Sequence, residues 1–179
     1  MASFEEAGRY LRSGTKNLVN EVGREGKKQV WIIDESENEN KGFLLATILQ
    51  QKGDRFEVEM EDRTRRDVYI EDTEQMNPIK FDKSEDMAEL TYLNEASVLH
   101  NLKQRYQSNL IYTYSGLFCV TINPYKVFPI YTDKVVQMYR GKKRCELPPH
   151  IYGITDQAYQ QVLRSKYLLF VCLFVMYFN

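Results

Sequence analysis

This sequence does without a disulfide framework. Its three cysteines, Cys119, Cys145 and Cys172, are odd in number and widely spaced, which suits a reducing compartment. It also lacks an excess of either charge. Lys and Arg total 24 against 25 Asp and Glu, and a net charge of −1 argues against a general nucleic-acid binder, which carries a basic surplus. No apolar segment opens the chain, so residues 1–20 do not read as a signal peptide. The apolar run 167–178 is twelve residues and falls short of the roughly 17–25 that a membrane-spanning helix needs. It is apolar all round, unlike an amphipathic surface helix. No cysteine or second histidine stands at ligand spacing from His100, so no zinc site is expected and His100 should face solvent. What is present is ordinary for a globular protein: 43% hydrophobic and 27% charged residues, enough for one or two domains with modest cores.

The strongest pattern lies between Leu110 and Tyr131. Leu110, Tyr112 and Tyr114 alternate with Ile111, Thr113 and Ser115, so both faces of a strand carry large or β-branched side chains. Gly116 breaks the run. Residues 118–122 are almost unbroken apolar sequence, expected to form a strand buried on both faces. Asn123-Pro124 ends it, because proline cannot donate to a ladder and Asn-Pro favours a turn. The loop beyond carries Lys126, Pro129 and Tyr131, and a loop leaving a buried strand is a common place for a ligand site.

Upstream, residues 29–71 alternate short strands with polar turns. Strands are expected over 30–33, 42–50, the alternating Phe56, Val58 and Met60, and 68–70, with turns at Lys52-Gly53-Asp54 and 61–64. Together they suggest a compact antiparallel barrel that closes on itself. Trp31 is read as a core or rim tryptophan ahead of a ligand-contacting aromatic. The acidic run 34–40 is read as a solvated loop ahead of a metal site. Residues 1–28 are polar and glycine-bearing, a frayed helix with Phe4, Ala7 and Leu11 on one side and then a linker.

Met76-Asn77-Pro78 marks a boundary, followed by a polar connector to Met87. Asn94 is a good N-cap, with Leu93 stapled onto Val98, for a helix that gathers Val98, Leu99, Leu102 and Tyr106 on one face. Residues 133–139 read as a short helix with Val135, Val136 and Tyr139 inward. Arg140, Lys142, Lys143 and Arg144 surround Gly141 and read as a solvated basic turn ahead of a phosphate patch. Pro148-Pro149 opens a last helix with a stripe of Ile151, Ile154, Ala158 and Val162, and Gly153 as its soft spot.

Tyr112-Thr113-Tyr114-Ser115-Gly116-Leu117-Phe118-Cys119-Val120-Thr121-Ile122-Asn123-Pro124-Tyr125-Lys126, with Tyr131 eight residues after Asn123, resembles the opening strands and purine-binding loop of a myosin motor domain. The segments 81–90, 94–102, 139–144, 148–152 and 155–159 agree. As a set they resemble the conventional, filament-forming myosin heavy chain, nearer the smooth and non-muscle type than the sarcomeric one. The resemblance runs from about residue 28 to 163. Beyond Arg164 the sequence diverges before the family's phosphate-binding loop, which reads as a truncated or alternatively spliced product or a misread gene.

The resemblance implies an α+β chain. Residues 1–28 would be an N-terminal extension and 29–76 an SH3-like antiparallel β-barrel. Residues 77–163 would be the incomplete N-terminal helices and strands of a motor domain of the P-loop NTPase type, and 164–179 a divergent apolar tail. It implies an actin-based, ATP-driven parent in the cytoplasm and cytoskeleton. Asn123 and Pro124 would flank the purine, Tyr131 would present its hydroxyl to the exocyclic amine of adenine, and Tyr125 and Lys126 belong to the same loop. Val127 sits where some members carry a basic residue. ATP would be met here only through adenine. The magnesium site, switch loops, actin-binding surface and light-chain sites would lie outside these residues, leaving no catalytic or metal-ligating residue among them. The alternatives are a non-catalytic interaction module, a fragment held to a membrane by its tail, and a non-functional truncated product.

The pattern G-x-x-x-x-G-K-[ST] is absent from the 179 residues. Gly26-Lys27-Lys28 and Gly141-Lys142-Lys143 are the only Gly-Lys pairs, and neither continues with Ser or Thr. Phosphoryl transfer rests on positioning and electrostatic stabilisation of the phosphates. A polypeptide of these residues is therefore expected to hydrolyse no ATP, with or without actin. Magnesium-dependent turnover that disappears on changing Asn123 or Tyr131 would overturn that expectation.

Overall fold

The computed structural model describes residues 7–12, 28–34, 42–164 and 177–178. The expectations for the linker before residue 28, the acidic loop and most of the apolar tail lie outside these residues. The chain divides into two units. One comprises Met1–Lys16, Asp82–Leu90 and Asn101–Asn179; the second comprises Asn17–Phe81 and Thr91–His100.

The second unit is built on β1 (Gln29–Asp34), β2 (Gly42–Lys52), β3 (Arg55–Met60), β4 (Arg65–Tyr69) and β5 (Thr73–Gln75). They form one antiparallel sheet in the order β4-β3-β2-β1-β5. Alternation sets the register. Val30 pairs with Ala46, and Ala46 with Met60, so these side chains share one face and, with Val58, form the unit's core. Backbone pairing does not run between β4 and β5. The 3-10 turn Ile70–Asp72 joins these two edges, and three-residue β5 pairs with β1. Trp31 is core, 6% exposed, with its ring 4.9 Å from that of His100. His100 is therefore half-buried against an aromatic face, where solvent had been expected.

Helix α1 (Glu95–Gln107) contributes residues to both units. Asn94 caps it as expected, its Oδ1 accepting from Ser97 N at 2.8 Å. Asn77 fastens the approach, accepting from Tyr92 N through Oδ1 and donating through Nδ2 to Tyr92 O and Ser97 Oγ. The expected apolar stripe is only partly the buried face: Leu102 is buried and Val98 half-buried. Leu99 is half exposed, Tyr106 and Leu93 point outward, and a staple from Leu93 contributes little. Ser97, Asn101 and Arg105, four residues apart, are buried as well. Polar side chains occupy this face because the backbone supplies partners, as when Asn101 Nδ2 donates to Ser84 O.

The first unit is built around the hairpin of β6 (Tyr112–Ser115) and β7 (Phe118–Ile122). Gly116, at φ +57°, takes the left-handed conformation the turn needs. Its N–H donates to Asp86 Oδ1, which also caps Ala88 N. The stretch before it is thus more than a connector: Met87 is buried, and Tyr114 N donates to Glu85 O. Tyr112, Thr113 and Tyr114 are all buried, so β6 is covered on both faces. The same expectation fails for β7, where Phe118 is 56% exposed and only Cys119 is fully buried. The reason is coverage. Beyond β7 lies β8 (Tyr177–Phe178), which pairs in parallel with Thr121 and Ile122 alone.

Helices α2 (Asp133–Tyr139) and α3 (Ile151–Arg164) complete this unit. Val135 and Tyr139 enter the core four residues apart, while Val136, a third of a turn away, faces out. Ala7 and Leu11 join the same core with Ile111, Phe128 and Ile130. Ile130 and Val135 are essentially inaccessible, each burial stabilising by about 1.5–3 kcal/mol. The basic turn is only partly solvated. Arg140, Lys142 and Lys143 are exposed, but the Arg144 guanidinium lies 3.7 Å over the Tyr114 ring, and its Nη2 donates to Phe118 O.

Gly153 is no soft spot. It is buried, and a Cβ there would meet Tyr114 Oη at 2.8 Å. Tyr114 Oη is itself held beside His150, accepting from its N–H. Gly153→Ala is expected to destabilise this unit by about 1–3 kcal/mol through overpacking. In a Tyr114→Phe background the obstructing oxygen is gone, and the same change should become neutral or stabilising by up to about 1 kcal/mol through helix propensity. Urea denaturation of the four chains, read from the Tyr139 ring by NMR, tests the change of sign. Equal effects in both backgrounds would refute the steric account.

Candidate functional site

The loop from Asn123 to Thr132 leaves β7 and enters α2. It alternates anchors with exposed residues. Phe128 is buried with its ring 4.6 Å from that of Tyr10, and Ile130 is inaccessible, so the loop is pinned at both positions. Between β7 and these anchors Tyr125 is 77% exposed, Lys126 is exposed and Val127 is 99% exposed. Asn123 Oδ1 accepts from Tyr125 N at 3.0 Å, a side-chain mimic of a backbone turn. That turn holds Tyr125 at φ +51°, a conformation bulky residues rarely adopt. Pro124 is half-buried and ends the ladder as expected.

Tyr131 is placed by a different set of groups. Its hydroxyl lies 2.8 Å from that of Tyr112, and its carbonyl accepts from the Tyr152 hydroxyl at 3.3 Å. Its ring centroid is 5.7 Å from His150 and 6.3 Å from Tyr152. Tyr131 as a whole stays 50% exposed, so part of it remains open to solvent. Of the five residues singled out in the sequence, Asn123 and Tyr125 are joined by a hydrogen bond and flank Pro124. Among the described residues no hydrogen bond or ring contact joins that end of the loop to Tyr131, and Lys126 stands in solvent.

His150 was not singled out, and it is the hub beneath the site. It is completely buried, with ring centroids of Tyr112, Tyr139 and Tyr152 at 4.7, 5.1 and 4.5 Å. Its Nδ1 accepts from Tyr152 N at 3.1 Å, so it also caps α3. Burial pushes its pKa down to about 4, partly opposed by the Ile130 backbone, and the ring is neutral at physiological pH. Burial likewise raises the Tyr112 and Tyr139 hydroxyls and pushes the Cys119 thiol up to about 11. The site therefore consists of neutral hydrogen-bonding and aromatic groups with one solvated lysine. Among the described residues no three His, Cys, Asp or Glu side chains group as metal ligands. None of the described helices is long and apolar enough to cross a membrane.

Residues 84–169 match the family model of the myosin head (motor domain), and residues 24–77 match that of the myosin N-terminal SH3-like domain. The non-muscle myosin heavy chain of Drosophila melanogaster is 56% identical over 138 residues. That match covers 76% of this chain and 6% of the relative, so the chain spans a small part of the relative's length.

The buried imidazole gives the fold a specific acid response. The unfolded chain takes up a proton on His150 near pH 6.5, whereas the folded chain does so near 4. Between these values the unfolded state binds more protons, so the His150 contribution to stability is lost as pH falls. The loss amounts to about 3 kcal/mol by pH 4. His150→Asn keeps an acceptor for Tyr152 N and does not titrate. Denaturation midpoints measured from pH 7 to 4 should fall more steeply in the parent chain than in this variant. Parallel slopes would show that His150 is solvated.

Proposed function

Because this chain belongs to the myosin family, with an SH3-like N-terminal domain followed by part of the motor head, we propose that residues 123–131 form the purine side of its nucleotide pocket. The motor family binds nucleotide; which residues of this chain meet it is our reading. The observation that carries it is the placement of Tyr131. Its hydroxyl is held by that of a buried tyrosine while the residue stays half exposed. In this reading the hydroxyl faces the exocyclic group of the purine, Pro124 and Tyr125 lie against the base, Asn123 fixes the turn, and Lys126 supplies the loop's cation. These donors, acceptors and apolar faces fit adenine, which is flat, uncharged and hydrogen-bonding. When bound, the triphosphate and its magnesium supply the phosphoryl chemistry, and these residues orient the base.

The proposal places the chain in an actin-based, ATP-driven myosin of the cytoplasm and cytoskeleton. Actin and light chains would be partners of the whole protein, held through regions other than these. The divisions at residues 28, 76 and 163 belong to the same reading.

Binding should be weak. Each neutral hydrogen bond contributes about 0.5–1.5 kcal/mol net, while a dissociation constant of 1 mM requires roughly −4.1 kcal/mol. Two or three contacts, less the entropy of ordering ligand and loop, give a constant above about 1 mM. ATP should bind little better than adenosine. Titration of the chain with each ligand, following the Tyr131 ring by NMR, should move Tyr131 and lose the response in Tyr131→Phe. Micromolar ATP affinity would reveal a phosphate site, and an unmoved Tyr131 would remove it from the pocket.

A further inference from the structure

Residues 7–12 lie far from the 123–131 loop in sequence and belong to the same unit. They form a single helical turn. Tyr10 N donates to Ala7 O at 3.1 Å, and Leu11 N and Arg12 N both donate to Gly8 O, at 3.3 and 3.2 Å. One turn is marginal by itself, because nucleation fixes several residues for few bonds. Burial holds this one. Ala7 and Leu11 are sealed into the core that also contains Phe128 and Ile130. Tyr10 is half-buried and adds its ring contact to Phe128. Burial raises the Tyr139 hydroxyl and the Arg12 charge partly opposes that rise, so the turn is also felt at α2.

The loop depends on the same place. Among the described residues the stretch 123–127 has one side-chain hydrogen bond, from Tyr125 N to Asn123 Oδ1. Tyr125, Lys126 and Val127 are exposed, and Phe128 is the first fully buried residue after β7. We propose that the turn at residues 7–12 is a strap that positions the 123–128 loop, with Tyr10 and Leu11 as its positioning residues, so that strap and loop open together as one unit. Leu11 seats the turn and Tyr10 covers Phe128. With the strap docked, Phe128 is held and the chain before it keeps the left-handed Tyr125. With the strap released, Phe128 loses a packing partner and the exposed tip loses the anchor that fixes it. A segment with so few buried contacts opens more readily than the strands beneath it. Capture of residues 7–12 by any partner therefore acts on the loop without touching it. This coupling goes beyond the purine reading and does not rest on it.

The test is amide exchange, measured by NMR on the whole chain without ligand, so that its outcome is separate from that of the pocket reading. Arg12 reports on the strap and Tyr125 on the loop. Tyr114, whose N–H donates to Glu85 O, reports on β6. Two variants push in opposite directions, and neither alters a residue adjacent to a reporter. Gly8→Ala fits, because a Cβ there meets no atom within 4 Å, and it firms the turn. It should slow exchange at Arg12 and Tyr125 together by about two- to fivefold. Tyr10→Ala removes the ring from Phe128 and should speed both by about two- to tenfold. Tyr10→Phe keeps the ring contact and should restore the parent rates. Tyr114 should move in none of them. A Tyr125 rate that stays fixed while Arg12 shifts would show that strap and loop open independently, and would overturn the proposal. Tyr114 shifting in step with the others would do the same, since the substitutions would then act only on the stability of the whole unit. Arg12 unmoved by both Gly8→Ala and Tyr10→Ala would mean that the turn is not docked, and would overturn it too.

Discussion

Arg105 has its guanidinium in the interior, 1% exposed, without a carboxylate in salt-bridge contact among the described residues. Backbone and hydroxyl oxygens replace the missing anion. Nε donates to Thr113 Oγ1 at 2.8 Å, Nη1 to Lys83 O at 2.9 Å and Nη2 to Tyr112 O at 2.7 Å. Burial lowers its pKa to about 10, with Glu85 opposing that shift, so the group stays charged near neutrality. A planar fork can satisfy three acceptors on two chain segments at once, which a lysine cannot. The segment before β6, the second half of α1 and β6 itself all depend on it. Tyr112 sits at the junction, its carbonyl held by Arg105 and its hydroxyl against Tyr131. The position of the candidate site is thus set from within the core.

Above that core the 123–131 loop divides its labour by residue. Phe128 and Ile130 are committed to packing. Tyr125, Lys126 and Val127 are committed to nothing within the described structure except the turn that Asn123 closes. Large exposed aromatic and aliphatic groups on a firmly anchored loop suit recognition better than stability. The conformation of Tyr125 is consistent with this, since strained backbone persists where surrounding structure over-determines it.

What the sequence reveals and what it hides follow from the range of the interactions. Strands β1 to β3 were legible because a period of two is written in consecutive residues, as in Phe56, Val58 and Met60. The Asn94 cap and the Gly116 break were legible for the same reason: each acts within three residues. The polar part of the buried face of α1 was not, because Ser97, Asn101 and Arg105 depend for their burial on partners up to 22 residues away. The exposure of Phe118 depends on how little of β8 lies beside β7, and the need for Gly153 depends on Tyr114, 39 residues earlier. Asn123 to Lys126 and Tyr131 were found through resemblance. The supporting Tyr112, His150 and Tyr152 lay inside the quoted segments, yet no local pattern marks them as one cluster.

Trp31 is the only tryptophan in the chain, and it belongs to the second unit, buried against His100. The tyrosines that surround His150 belong to the first unit. Light absorbed selectively by indole therefore reports on the SH3-like unit alone. The aromatic composition gives this protein a built-in optical label on the SH3-like unit, without any introduced dye.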